Sequence, residues 1–300
     1  MIERSAEASW PVMVLAHNEA DHIVPCLDSL YAAEPGRDLE VFVLANGCTD
    51  ATEPIVERYA RTHPGVHVVS IALADKCNAW NVFVHETIPA RIPGRDVYFF
   101  MDGDARVSRG SLSAMAEALQ REPAASAASA IPVTGRSRIA DARTILEARG
   151  LVANLYALSA PFVQALQAKS VRLPLGLEGD DGLLGALIKW DLEPRGRWDD
   201  TRIVPCADAG FAFESLSPTR ARDWRAYWRR RIRYARRFYE FELLGPRLKA
   251  HGLAAMPVHI REIYGHATSC RVRKHLWTVF DWLALREMRK QAVPASESAR

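Results

Sequence analysis

Asp96 to Asp104 reads DVYFFMDGD, five apolar residues in a row that run into two aspartates one residue apart. A strand with one face in water alternates apolar and polar residues, so consecutive apolar residues mark a strand covered on both faces. Three earlier stretches have the same character: Pro11–Ala16 (PVMVLA), Glu40–Ala45 (EVFVLA) and Val66–Leu73 (VHVVSIAL). The segments Asp21–Tyr31, Ala51–Thr62, Asn78–Thr87 and Ser111–Arg121 have helical periodicity, with Asp50 and Ser111 placed as N-caps. Strands alternating with crossover helices give an α/β fold, a mostly parallel sheet flanked by helices. Further on, the pattern predicts a strand over Ala127–Val133 and a long helix within Ile139–Ala168, the uncharged stretch Gly150–Ala168 being a buried helix. A loop through Pro174 and Gly176 and a helix over Gly182–Lys189 follow. Beyond Pro218, Trp224, Tyr227, Trp228, Arg231 and Tyr234 share one helical stripe.

The chain has 300 residues, enough for one large domain or two modest ones. Hydrophobic residues make 49% and charged residues 25%, and no repeat is visible, which excludes fibrous and disordered classes. The net charge of +3 hides an uneven distribution. Thr219–Glu240 holds nine Arg against Asp223 and Glu240, a net +7, so the other 278 residues sum to −4. The five cysteines are scattered with no C-x-x-C pair, which points to free thiols in a reducing compartment. The opening MIERSAEASW lacks the apolar core of a secretory signal, and no stretch is apolar enough to span a bilayer. A cytoplasmic location is expected, with peripheral attachment at the inner membrane face as an option.

In an open α/β sheet, ligands bind beyond the carboxyl ends of the strands. There the sequence places His17-Asn18-Glu19, Asn46-Gly47-Cys48-Thr49-Asp50, Asp75-Lys76 and Asp102-Gly103-Asp104. Carboxylates, amides and one lysine suit a ligand with phosphates and hydroxyls. Asp102 and Asp104 could share Mg²⁺ or Mn²⁺ with diphosphate oxygens. The plain alternative is a turn with capping aspartates. Lys76 is one of only six lysines beside 33 arginines and stands where a cation could meet phosphate. Glu178-Gly179-Asp180-Asp181 precedes an apolar helix and offers either helix-start acids or a general base.

Taken in order, these motifs resemble family 2 glycosyltransferases, which have the GT-A fold with a Rossmann-like nucleotide-binding half. The similarity covers roughly Trp10 to Tyr234 and rests on Ala16-His17-Asn18-Glu19, Asn46 through Asp50, Lys76 through Asn81, Asp102-Gly103-Asp104, Asp180-Asp181 with Leu184, and Arg230-Arg231-Ile232-Arg233-Tyr234. The resemblance implies a GT-A catalytic domain over 1–215, its nucleotide-sugar half about 10–121 and its acceptor half about 122–215, then an Arg-rich, aromatic helical region over 216–300. It implies that Asn18, Glu19, Asn46 and Asp50 shape the nucleoside pocket and that Lys76 lies near the donor. Asp102 would contact the nucleotide or metal, Asp104 would bind Mn²⁺ or Mg²⁺, and Arg233 would face the diphosphate or acceptor. The implied reaction transfers one sugar from a nucleoside-diphosphate sugar, most commonly a UDP-sugar, to a hydroxyl with inversion and without processivity. Asp181 is the implied base, with Asp180 and Glu178 as alternates. Departures from the family pattern are Ala45 in place of an acid, Asp75 in place of Gly, Asp180 in place of Glu, and the absence of Gln and Trp from the last motif.

Other functions remain as alternatives. A sugar-nucleotide binding protein without transfer activity would keep the same pocket, and a retaining transferase would keep the same fold. A dinucleotide oxidoreductase is excluded because no G-x-G-x-x-G follows the first strand. For the basic helix three roles stay open: packing with a solvated Arg face, contact with an anionic membrane that would suit a lipid-linked acceptor, and nucleic-acid binding, the least expected.

Overall fold

The computed structural model of the protein describes residues 9–214 and 221–292. The opening octapeptide, the 215/216 boundary, Thr219 and Arg220 of the basic segment, and the polar tail after Pro294 lie outside these residues. The chain divides into two compact units, one of Met1–Val171 with Asp199–Glu214 and one of Arg172–Trp198 with Ser215–Arg300.

The first unit begins with β1 (Trp10–Ala16), α1 (Ile23–Ala33), β2 (Leu39–Asn46), α2 (Thr52–Ala60), β3 (Val66–Ile71) and α3 (Lys76–Val82). A π-helical turn at Phe83–Thr87 joins α3 to the short α4 (Ile88–Arg91). Then come β4 (Val97–Asp102), β5 (Arg106–Val107), α5 (Ser111–Arg121), β6 (Ala127–Pro132), α6 (Arg138–Ala148), β7 (Leu155–Ser159), α7 (Ala160–Ala168) and, after the excursion into the second unit, β8 (Ile203–Ala212). Eight strands form one sheet in the order β3-β2-β1-β4-β7-β6-β8-β5. The first four are parallel, as the apolar runs imply, whereas β7 is antiparallel to both β4 and β6.

Both faces of the parallel half are covered. Val12, Val14, Val41, Val43 and Phe99 pack in one cluster with Ile23, Leu27 and Leu30 of α1 and Leu112 and Met115 of α5. On the opposite face Phe100 stacks on Tyr156 with ring centroids 4.8 Å apart and meets Phe83 edge to face at 5.5 Å. Trp80 closes this layer by donating Nε1–H to the Tyr156 hydroxyl at 2.9 Å, which satisfies the one polar group each ring brings inside.

Three expectations change. Gly150–Ala168 is not one helix: Leu155 to Leu158 are all buried, as a strand inserted between β4 and β6 requires, and α7 starts only at Ala160 with Pro161 in its first turn. Ser111 is not an N-cap. Gly110 takes that position with φ +74°, and the Ser111 hydroxyl instead accepts from the Gly210 amide at 2.9 Å. The donors at the start of α5 are served from elsewhere in the chain: Glu34 Oε1, at the end of α1, accepts from the amides of Leu112 and Ser113 at 2.8 and 3.0 Å. Glu34 Oε2 accepts from the Ser113 hydroxyl at 2.6 Å. Finally, β5 and β8 escape the periodicity, one for its two-residue length and the other because Ala207 and Asp208 are exposed mid-strand.

The second unit contains α8 (Asp180–Lys189), α9 (Ala221–His251) and α10 (Thr278–Gln291) with 3₁₀ turns between the last two. The aromatic stripe expected on α9 is exposed, Trp224 at 64% and Tyr234 at 52%. The buried stripe is Ala235, Tyr239, Leu244 and Leu248, and Ala235 packs on Phe280 and Ala284 of α10. Asp281, the charge that interrupts the apolar run of α10, is the buried anchor of this packing. Its carboxylate accepts from Arg273 Nε at 2.8 Å and Nη2 at 2.7 Å, and from the Tyr239 hydroxyl at 3.0 Å. Burial alone would raise the Asp281 carboxyl, but hydrogen bonds from Arg273, His275 and Tyr239 outweigh it and hold it below the ordinary range. Among the described residues no helix is long and apolar enough to cross a membrane.

Glu34 is the side chain on which α1 and α5 depend together. Replacing it with Ala strands two amides and a hydroxyl at a buried helix start and is expected to cost about 1–3 kcal/mol. The measurement is the urea midpoint at unchanged slope; an unshifted midpoint would show that water replaces the carboxylate.

Candidate active site

The loops after β1 and β2 are tied together by side chains that the sequence placed there. Asn18 sits in the left-handed region at φ +57°, where Asn is among the few side chains tolerated. Its Oδ1 accepts from the amides of Thr49 at 2.8 Å and Asp50 at 3.3 Å. Asp50 Oδ1 accepts from the Thr52 amide at 2.9 Å at the start of α2, and Oδ2 accepts from the Ala20 amide at 3.1 Å. Gly47, at φ +58°, lies so close to the loop after β3 that a Cβ would stand 2.5 Å from that of Ala74. Asn46 Oδ1 accepts from the Asp75 amide at 3.0 Å, and Asp75 caps α3 by accepting from the Asn78 amide at 2.8 Å. Aspartate in place of the family's Gly thus fixes the helix that begins with Lys76.

Asp102 is the last residue of β4, in register with Leu15 of β1. Gly103 follows because its amide donates to the Leu15 carbonyl at 2.8 Å and an added Cβ would lie 2.9 Å from that same oxygen. Lys76 Nζ donates to Asp102 Oδ1 at 3.0 Å, and Asn154 Nδ2 donates to Oδ2 at 3.3 Å. Asp104 is exposed. Glu19 is pushed up by burial and by the negative charge of Asp104 and, more weakly, Asp102, with His22 opposing. The loops after β1 and β4 therefore bring three carboxylates into one another's field. Among the described residues no group of three or more His, Cys, Asp or Glu side chains is gathered as a ready metal cage. The donor chemistry nevertheless fits a hard divalent cation, with carboxylate oxygens from Asp102 and Asp104 and other positions left to ligand and water oxygens.

In the second unit, Asp180 and Asp181 form the first turn of α8. Asp181 is buried, and its Oδ1 accepts from the Gly182 amide at 2.8 Å and from Arg237 Nη2 at 2.5 Å. Arg233 is exposed; Arg237, one turn further along α9, is the arginine that reaches a candidate carboxylate. Glu178 is held twice. Its side chain accepts from Arg236 at 3.3 Å, and its amide donates to Glu240 Oε2 at 2.9 Å. Glu240 is fully buried and its Oε1 accepts from the Tyr264 hydroxyl at 2.5 Å. Burial pushes Glu240 up to about 7, although the Tyr264 and Glu178 donors pull the other way. Asn154, Arg237 and Glu240 were not legible as site residues, since only tertiary contact links each to an aspartate or glutamate of the motifs, and Tyr264 joins them only through Glu240.

A protein-family model described as glycosyl transferase family 2 matches residues 12–164, half of the chain, from β1 into α7. The chain belongs to glycosyl transferase family 2. No curated protein sequence matches it. Among solved structures this glycosyltransferase is similar to the mannosyltransferase PcManGT from Pyrobaculum calidifontis, in complex with GDP-Man and Mn²⁺, at TM-score 0.58 and 20% identity over 97% of this chain and 87% of that one. It is also similar to S. aureus TarS residues 1–349, at TM-score 0.51 and 17% identity over 96% and 81% of the two chains. A third is glucosyl-3-phosphoglycerate synthase from Mycobacterium tuberculosis with Mn²⁺, UDP and glucosyl-3-phosphoglycerate, at TM-score 0.50 and 19% identity over 76% and 79%. At these identities the likeness establishes a shared GT-A fold.

The buried Glu240 gives this glycosyltransferase a pH-dependent stability. A carboxyl whose folded pKa lies above its ordinary 4.5 binds more protons folded than unfolded between the two values. That contribution is fully present below about pH 4.5 and is lost as pH rises through about 7. The urea midpoint of the wild type minus that of Glu240→Gln should fall across this window and level off above it. A difference flat with pH would show that Glu240 ionises normally.

Proposed function

We propose that the chain is a metal-dependent, inverting and non-processive transferase that moves one sugar from a nucleoside-diphosphate sugar to a hydroxyl acceptor, with Asp181 as general base. The observation that carries this assignment is the end of β4, where Asp102 is held by Lys76 and Asn154 and Asp104 stands exposed two residues on. Asn18, Glu19, Asn46 and Asp50 are the nucleoside-side residues, and their loops are tied together where Asn18 accepts from the Asp50 amide, Asp50 from the Ala20 amide and Asn46 from the Asp75 amide. Lys76 brings a positive charge to the phosphate end. Asp102 and Asp104 would hold Mn²⁺ or Mg²⁺, which when bound neutralises charge on the diphosphate. Support comes from the similar solved structures, the mannosyltransferase in complex with GDP-Man and Mn²⁺ and the glucosyl-3-phosphoglycerate synthase in complex with Mn²⁺ and UDP.

In the proposed step the acceptor oxygen forms a bond to the anomeric carbon while the bond from that carbon to the diphosphate oxygen breaks, its electron pair leaving with the nucleotide. The acceptor proton passes to Asp181. Arg237 and the Gly182 amide both hold Asp181 Oδ1, which fixes the orientation of the carboxylate that takes the proton.

Two variants separate binding from chemistry. Asp104→Ala should weaken Mn²⁺-dependent binding of UDP- or GDP-sugars by about tenfold or more in calorimetry. Asp181→Asn should leave donor binding in place and lower kcat by about a hundredfold to ten-thousandfold. Product NMR should show the opposite anomer to the donor. Equal donor binding by Asp104→Ala would remove the metal assignment, and retention of configuration would remove Asp181 as base.

A further inference from the structure

The second unit holds a cavity of about 430 Å³ beside the start of α8, within the size range of small-molecule sites. Leu177, Leu183, Tyr234, Phe238, Phe241 and Leu244 give it an apolar lining. Gly179 and Gly182, which bracket Asp180 and Asp181, form part of its wall. So does Arg237, whose guanidinium is bound to Asp181. The cavity is thus joined to the candidate base through a single ion pair. Tyr234 and Phe241 are 52% and 42% exposed, so the cavity opens to solvent past aromatic rings.

Charge decides what kind of ligand fits. Two guanidinium groups line the cavity, and each already has a carboxylate partner. Arg237 is paired with Asp181 at 2.5 Å, and Arg273 is doubly bonded to the buried Asp281 while its guanidinium carbon lies 3.8 Å from the centre of the Phe238 ring. A phosphate or carboxylate entering here would have to compete with an existing partner and would leave a buried aspartate without its counter-charge, which is costly. A neutral apolar group meets no such penalty and gains from covering the six apolar side chains.

We propose that this cavity receives the uncharged apolar body of the acceptor, an aryl or alkyl alcohol or glycoside, and presents its hydroxyl to Asp181. The assignment rests on the proposed transfer reaction and adds the acceptor's chemical class: the apolar body binds here and the hydroxyl loses its proton as the glycosidic bond forms. It also gives Arg237 a role as a positioning residue that orients the base and closes one wall.

The test uses the full chain and two independent measurements. In the first, the neutral fluorophore N-phenyl-1-naphthylamine is titrated into the protein and displaced with octyl β-glucoside below its micelle concentration. Phe241→Glu and Tyr234→Glu, changes at exposed positions that spare the fold, should each weaken binding of the fluorophore by roughly tenfold or more, whereas Ile139→Glu at an exposed position on α6 of the first unit should not. Absence of fluorophore binding, or equal binding by all variants, overturns the proposal. In the second, nucleotide release is followed with donor and Mn²⁺ in the presence of glycerol, glycerol 3-phosphate or octyl β-glucoside. Octyl β-glucoside should exceed both others in kcat/KM by about tenfold or more, and Phe241→Glu should erase that preference. Equal use of the three, or preference for the phosphate, overturns the proposal. No nucleotide release with any acceptor overturns the transferase assignment itself, and the fluorophore titration then decides the cavity by itself.

Discussion

The burial of β4 on both faces is the constraint on which the donor side of the molecule depends. Phe99 and Phe100 face opposite layers and both are shielded from solvent, so the strand has no room for charge until it leaves the sheet. At that point it delivers Asp102, then a glycine that hugs β1, then Asp104. The neighbouring parallel strands end at the same edge because their register keeps Ala16, Ala45 and Asp102 nearly level. A cluster of like charges on a rigid edge costs free energy in the absence of a counter-charge, and Lys76 offsets only part of it. Such an edge is shaped for a ligand that brings cationic charge or accepts it.

The second unit handles charge differently. Three of its carboxylates are matched inside the fold: the buried Asp181 by Arg237, the buried Asp281 by Arg273 and His275, and the half-buried Glu178 by Arg236. Glu240 is the exception, kept by burial near the protonated form and held between Tyr264 and the Glu178 amide. Arg236 and Arg237 tie α9 to Glu178 and to Asp181 of α8, so the Arg-rich composition of α9 is in part a structural supply of guanidinium groups. Arg225, Arg229 and Arg233 of the same helix are exposed alongside Trp224 and Trp228. In the proposed reaction the Arg237–Asp181 pair would serve the fold and the chemistry together.

Chemistry that depends on local sequence was readable in advance. The four parallel strands announced themselves because residues shielded on both faces must be apolar one after another. The loop motifs followed because polar residues directly after buried strands have one place to go. Asp50 was expected as the N-cap of α2, a position that Ala51 takes, but its side chain still accepts from the Thr52 amide two residues on. What failed were elements whose identity is set by distant partners. Leu155–Ser159 carries the composition of a buried helix or strand alike, and only the space between β4 and β6 makes it a strand. The cap of α5 comes from Glu34, far upstream, so no local pattern could reveal it.

By itself the sequence determined the α/β class, the buried parallel half-sheet, and the ordered set of carboxylates, amides and lysine at its edge, since each of these follows from side-chain type and periodicity within a few residues. Tertiary structure alone decided which of those groups touch. It put Lys76 and Asn154 on Asp102, made Arg237 the partner of Asp181, and enclosed an apolar cavity whose charged walls are already neutralised. Hydrogen bonds and ion pairs act over a few ångströms, and residues that distance apart in space are separated here by tens of positions in the chain.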